Sequence, residues 1–159
     1  MPNKYQHIVK RLGLEPVDEP VRLSEKALLD FERTIGQPLP ADYREFLSRY
    51  GFVHGCGVAF PEYGQPAKPC GGVEVFLGVK SDDGYDIMDT KEGLSGRLPD
   101  HLLPIADSPG GQICLALTGT DTGKIFWWGL ECISGANTQP ELIADDFDSF
   151  MNSLYLDEN

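Results

Sequence analysis

Apolar residues recur at helical spacing in the first fifty positions and again near the end of the chain, and between these regions the period shortens to two. Tyr5, Ile8, Val9 and Leu12 predict a short helix over 4–12. "GLEPVDEP" then breaks it with one glycine and two prolines. The next helix has a defined start: Ser24 is placed to N-cap, Glu25 suits the positive end of the dipole, and Leu23 with Leu28 forms a hydrophobic staple. Leu28, Phe31 and Ile35 line one face, and Gly36 follows where a left-handed C-terminal cap is wanted. Pro38 and Pro40 hold the chain extended around Leu39, which plugs the corner from the core side. Tyr43, Phe46, Leu47 and Tyr50 then repeat at i, i+3, i+4, i+7, and Gly51 closes the second helix of the pair.

Beyond Gly51 the pattern is that of strands. "GVAF" (57–60), "VEVFLGV" (73–79), "LLPIA" (102–106), "QICLAL" (112–117) and "KIFWWGLE" (124–131) alternate or run apolar, with Gly/Asp/Pro turns between the later ones. The polar stretch 81–95 allows a short helix. A last helix is expected over 146–155, capped by Asp145 with Asp148 three residues on, its apolar face formed by Phe147, Phe150, Met151 and Leu154. Helices, then hairpins, then a closing helix predict an α+β fold: an antiparallel meander in one sheet, with the N-terminal helices and the C-terminal helix on one face. No repeat, low-complexity stretch or linker divides the chain, so residues 1–159 are expected to form a single domain.

"FERTIGQPLPADYREFLSRYG" resembles the N-terminal signature of the SUKH superfamily, the Smi/Knr-like proteins of fungal cell-wall regulation and bacterial toxin immunity. The signature, E-x-x-x-G-x-x-L-P-x-x-Y-x-x-F-L, falls on Glu32, Gly36, Leu39, Pro40, Tyr43, Phe46 and Leu47. "LLPIADSPGGQICLAL", "GKIFWW" and "IADDFDSFMNSL" resemble the family's middle strands, later strand and C-terminal helix, so the resemblance covers 23–155 in order. Where the family often has Asn-Gly-Gly after the second helix, this chain has Tyr50, Gly51 and Phe52, and residues 52–72 match no part of the pattern. The resemblance implies a binding module rather than an enzyme, since the shared motif is architectural and brings no catalytic residue with it.

Composition sharpens this picture. Hydrophobic residues are 41% and charged residues 24% of the 159, enough apolar content for a core without disulfides or metal. No apolar run approaches the roughly 18 residues of a membrane span, and the N-terminus lacks a signal-peptide pattern, which makes the cytoplasm the expected location. The net charge is −12, and it is lopsided: eight basic and eight acidic residues cancel in 1–50, while five basic and seventeen acidic residues in 51–159 carry the excess. This excludes nonspecific nucleic-acid binding, which needs basic clusters.

The densest acidic stretch is Asp82, Asp83, Asp86, Asp89 and Glu92, flanked by Lys80 and Lys91. It lacks EF-hand spacing, and reads either as a solvated loop or as a patch that meets a basic partner. Trp127 and Trp128 are adjacent on a strand and so must point to opposite faces. One is expected in the core; the other is a binding anchor if nothing covers it. Cys56, Cys70, Cys114 and Cys132 form no C-x-x-C pair, and His54 with Cys56 lacks an orienting third group.

The expected function is therefore non-catalytic protein binding: an immunity protein that neutralises a cognate toxin domain, possibly a nuclease, with a basic surface. Asp82, Asp83, Asp86, Asp89, Glu92, Trp127 and Trp128 are the candidate contact residues. No cofactor, metal, nucleic acid or membrane enters this reading. A regulatory or scaffold adaptor of the same fold is one alternative, and a metal- or thiol-dependent enzyme using His54, Cys56 and Cys70 is the other.

Overall fold

The computed structural model describes residues 3–17, 22–80, 84–129 and 139–157. Among them the chain forms α1 (Gln6–Leu12), α2 (Glu25–Ile35), α3 (Ala41–Tyr50), α4 (Ile87–Gly93) and α5 (Phe147–Ser153), with ten strands between and around them. Local chemistry fixes the helix ends as the sequence predicts for α2. Ser24 accepts a hydrogen bond from the Ala27 amide at 3.1 Å. At the far end Gly36 adopts φ +77°, its N–H bonds the Arg33 carbonyl, and the Gln37 N–H bonds that of Glu32, which is a Schellman cap. The last helix differs from expectation by one residue: Asp146, not Asp145, is the N-cap, accepting from the Ser149 amide at 2.7 Å.

Seven antiparallel strands form the main sheet. They are β1 (Glu15–Pro16), β2 (Val53–His54), β5 (Val75–Phe76), β6 (Leu102–Ser108), β7 (Gly111–Ala116), β8 (Ile125–Gly129) and β9 (Glu141–Ala144), in the spatial order β1-β2-β5-β6-β7-β8-β9. From β5 onward this is the meander read from the turns. The period of two divides its side chains cleanly. Ile113, Leu115, Ile125 and Trp127 join the large core shared with α1, α2, α3 and α5, while Cys114, Ala116, Phe126 and Trp128 face the other way. In the large core Phe147 of α5 meets Tyr5, Tyr43 and Phe46, with ring centroids 5.7, 5.0 and 5.2 Å away.

The expectation of a single sheet is corrected by residues 52–72. After β2, they fold into the hairpin β3 (Val58–Glu62) and β4 (Gln65–Gly72), and β10 (Tyr155–Leu156) pairs with β3 to complete a second, three-stranded antiparallel sheet. Val58 and Phe60 turn one face of this sheet into the large core. Gly71 is needed there, because a Cβ would lie 2.7 Å from the Phe60 ring.

Candidate functional site

The signature residues build a corner, and their geometry accounts for each of them. The Glu32 carboxylate accepts from the Leu39 amide at 2.7 Å and from Arg44 Nε at 3.2 Å, tying the end of α2 to the start of α3. Arg44 also clamps Glu25 with both terminal nitrogens, at 3.0 and 2.7 Å, and holds that carboxyl below its ordinary pKa. Leu39, Tyr43, Phe46 and Leu47 are buried in the core. Asp42 in the first turn of α3 accepts from the Asp148 amide at 3.0 Å, so α3 also secures the first turn of α5. Among the motif's polar side chains Glu32 is engaged within the fold, while the Tyr43 hydroxyl is buried without a hydrogen-bond partner among the described residues.

The acidic stretch divides. Asp82 and Asp83 lie outside the described residues. Asp86 is buried, with 8% exposure, and N-caps α4: its carboxylate accepts from the Asp89 amide at 3.0 Å and the Lys80 amide at 2.5 Å. It closes a loop and displays nothing. Asp89 and Glu92 are exposed on α4.

The tryptophans do point to opposite faces, Trp128 fully covered and Trp127 partly so. Trp128 is 1% exposed and packs with Leu98, Leu102, Cys114 and Ala116 beneath the segment that follows α4. Trp127 is half-buried against the large core. Its Nε1 donates to Ser108 Oγ at 3.1 Å, and Ser108 Oγ donates to the Gly72 carbonyl at 2.7 Å. That relay joins the main sheet to β4. Trp127 is thus a positioning residue at the junction of the two sheets.

The thiol candidates are not assembled into a centre. His54 is exposed on β2, opposite Glu15 and Val75, whereas Cys70 is exposed on β4 of the other sheet. Cys56 is exposed and Cys114 buried, and Cys132 lies outside the described residues. Among the described residues no three His, Cys, Asp or Glu side chains come together as a metal site. Partial desolvation of the sulfur, with Glu141 and Glu62 nearby, pushes the Cys70 thiol up to about 11, away from the thiolate a nucleophile requires.

The feature that sequence reasoning missed is a groove of ≈520 Å³ over the outer face of the second sheet. Tyr155, Ala59 and Gly72 are cross-strand partners and form its central row. Pro69 and Pro109 also line it, and Glu74 and Asp157 contribute exposed carboxylates. Cys70 lines it too, and its Sγ donates to Glu141 Oε2 at 3.8 Å. Next to Glu74, burial raises the Asp107 carboxyl above its ordinary value, against a hydrogen bond from Gln112, and Glu74 adds to the rise. The hairpin is tied down at its tip, where Tyr63 Oη donates to Asp145 at 2.7 Å. The clue available in the sequence was the run of small residues in "GCGVA" and "CGG", whose shared face only the pairing reveals.

Comparison with known proteins agrees with this architecture. The chain is 29% identical over 170 residues to a protein of Bacillus subtilis (strain 168) described as "SPbeta prophage-derived uncharacterized protein YokK", covering 95% of this chain and 84% of the relative. The sequence model of the family described as "SMI1 / KNR4 family (SUKH-1)" matches residues 22–153. That span runs from the lead-in of α2 to the end of α5 and contains both the Glu32 corner and the meander. With most of its length and its defining corner matched, the chain belongs to the SMI1/KNR4 (SUKH-1) family.

Proposed function

We propose that this protein is an immunity protein, a cytoplasmic binding module that neutralises a basic toxin domain by occupying its functional surface. The observation that carries the reading is the family match over 22–153, because members of this family are commonly immunity proteins in toxin systems. The charge distribution supports it. A toxin that acts on nucleic acid must present cationic surface to phosphate, and seventeen acidic residues after position 50 complement such a surface. Attraction of this kind raises association rates by about 10- to 1,000-fold and fades with salt. Asp89 and Glu92 are exposed members of the acidic set, and Asp82 and Asp83 belong to it by sequence. Asp86 and Trp128 serve the fold instead.

The test is direct. The toxin domain encoded beside this protein's gene is purified, mixed with the protein, and assayed for complex formation and residual toxin activity. A complex that buries about 1,200–2,000 Å², abolishes toxicity and weakens as salt rises is expected. Absence of a complex at low salt overturns the reading.

A further inference from the structure

We infer that the groove over the second sheet is the seat for the partner, and that it takes an extended segment bearing lysine or arginine. This rests on the binding function proposed above and assigns it a place. Three observations converge. The first is shape: a trough of ≈520 Å³ is the size that receives a few residues rather than a whole domain.

The second is the floor. Register puts Ala59 beside Gly72 on the face opposite Phe60 and Gly71, whose side is packed into the core. The floor therefore carries two small residues, Ala59 and Gly72, between Tyr155 and Pro109, and strand glycine of this kind permits another backbone to approach closely. Ser108 and Trp127 hold the Gly72 carbonyl from beneath, so the floor is fixed in advance of binding.

The third is charge. Glu74 and Asp157 line the groove, Glu141 lies against Cys70, and none of the described residues lining the groove is basic. Lys68 on the same hairpin is already paired with Glu62 at 3.2 Å. A cationic segment neutralises this field, whereas a second copy of a chain of charge −12 brings more of the same sign.

The experiment uses the full chain and a synthetic probe, a capped hexapeptide alternating lysine and valine, followed by backbone amide NMR in low-salt buffer. Chemical-shift changes are expected at Gly57–Ala59, Cys70–Glu74 and Tyr155–Asp157, and they should diminish as salt is added. The charge-reversed pair Glu74→Lys with Glu141→Lys, both exposed, should weaken probe binding about tenfold or more. The same charge change on α4, Asp89→Lys with Glu92→Lys, should leave the groove shifts in place. Gly72→Leu is a second, uncharged obstruction, since its Cβ finds only ordinary contacts at 3.4–3.8 Å, and it should also block the probe.

Shifts centred on α4, shifts spread over the whole surface, or equal losses from the two charge-reversed pairs overturn the assignment. So does a concentration-dependent dimer that perturbs the same groove amides without probe. The two proposals fail separately. A toxin neutralised undiminished by the groove variants sinks the groove and leaves immunity standing, while probe binding in the groove with no toxin bound does the reverse.

Discussion

The α2–α3 corner and the second sheet both carry several carboxylates, and they use them to different ends. At the corner each acid meets a donor: Glu32 holds the Leu39 amide and Arg44, Glu25 holds Arg44, and Asp42 holds the Asp148 amide. Around the second sheet Glu62 pairs with Lys68 and Glu141 accepts from the Cys70 thiol, while Glu74 stands exposed at the groove. The first arrangement spends charge on geometry. The second leaves a field that reaches solvent. A family can keep its corner and change its partner, because the residues that fix the fold are not those that face outward.

The comparison can be broken most forcefully at the core that both regions share. Phe147 is fully buried and touches the ring of Tyr5, which precedes α1, and rings from α3 and the remainder of α5. Phe147→Ala is expected to cost about 3–5 kcal/mol, the usual range for emptying such a site, measured by urea denaturation. The folded fraction should still take up the basic probe peptide, since no groove residue changes. The next effect separates the regions. Glu32→Ala leaves the buried Leu39 amide without its acceptor and should cost about 1–3 kcal/mol, with Glu32→Gln recovering part of the loss. Glu74→Gln, on the groove, should stay within about 0.5 kcal/mol of the parent. Equal losses at the two sites would erase the distinction between scaffold and displayed acid.

The corner was legible in the sequence because its determinants are local. Ser24, Gly36, Pro38 and Pro40 act within a few residues of themselves, so their spacing announces two helices and the turn between them. The second sheet was not legible for the converse reason. Tyr155 pairs with Ala59 across almost a hundred residues of chain, through a strand of two residues, and β4 is interrupted by Pro66 and Pro69. Such pairing leaves no periodic trace. The tryptophan pair shows an intermediate case: alternation fixed that they face apart, but the cover over Trp128 comes from Leu98, thirty residues earlier. Asp86 looked like one more surface acid because the start of α4 decides its role, and only the fold supplies that start.

The smallest predicted effect reports on the field around the second sheet itself. Cys70 donates to Glu141 and lies within reach of Glu62, and its thiol is pushed up to about 11, first by partial desolvation and then by these two charges. Both causes disfavour the thiolate, so the sign is fixed: at neutral pH its ionised fraction is roughly a hundredfold below that of a free cysteine. The greater nucleophilicity of a high-pKa thiolate offsets about half of this on a logarithmic scale, leaving alkylation by iodoacetamide roughly tenfold slow. Glu141→Gln should lower the pH midpoint of that reaction, because it removes the nearer charge and replaces a carboxylate acceptor with a neutral one. Burial persists in the variant, so the midpoint should settle between about 11 and the ordinary thiol value near 8.5. Added salt should move it the same way, while Glu92→Gln on α4 should not. A midpoint indifferent to both Glu141 and salt would mean that desolvation alone governs the thiol, and that the acids of the second sheet are too well screened to attract a cationic partner.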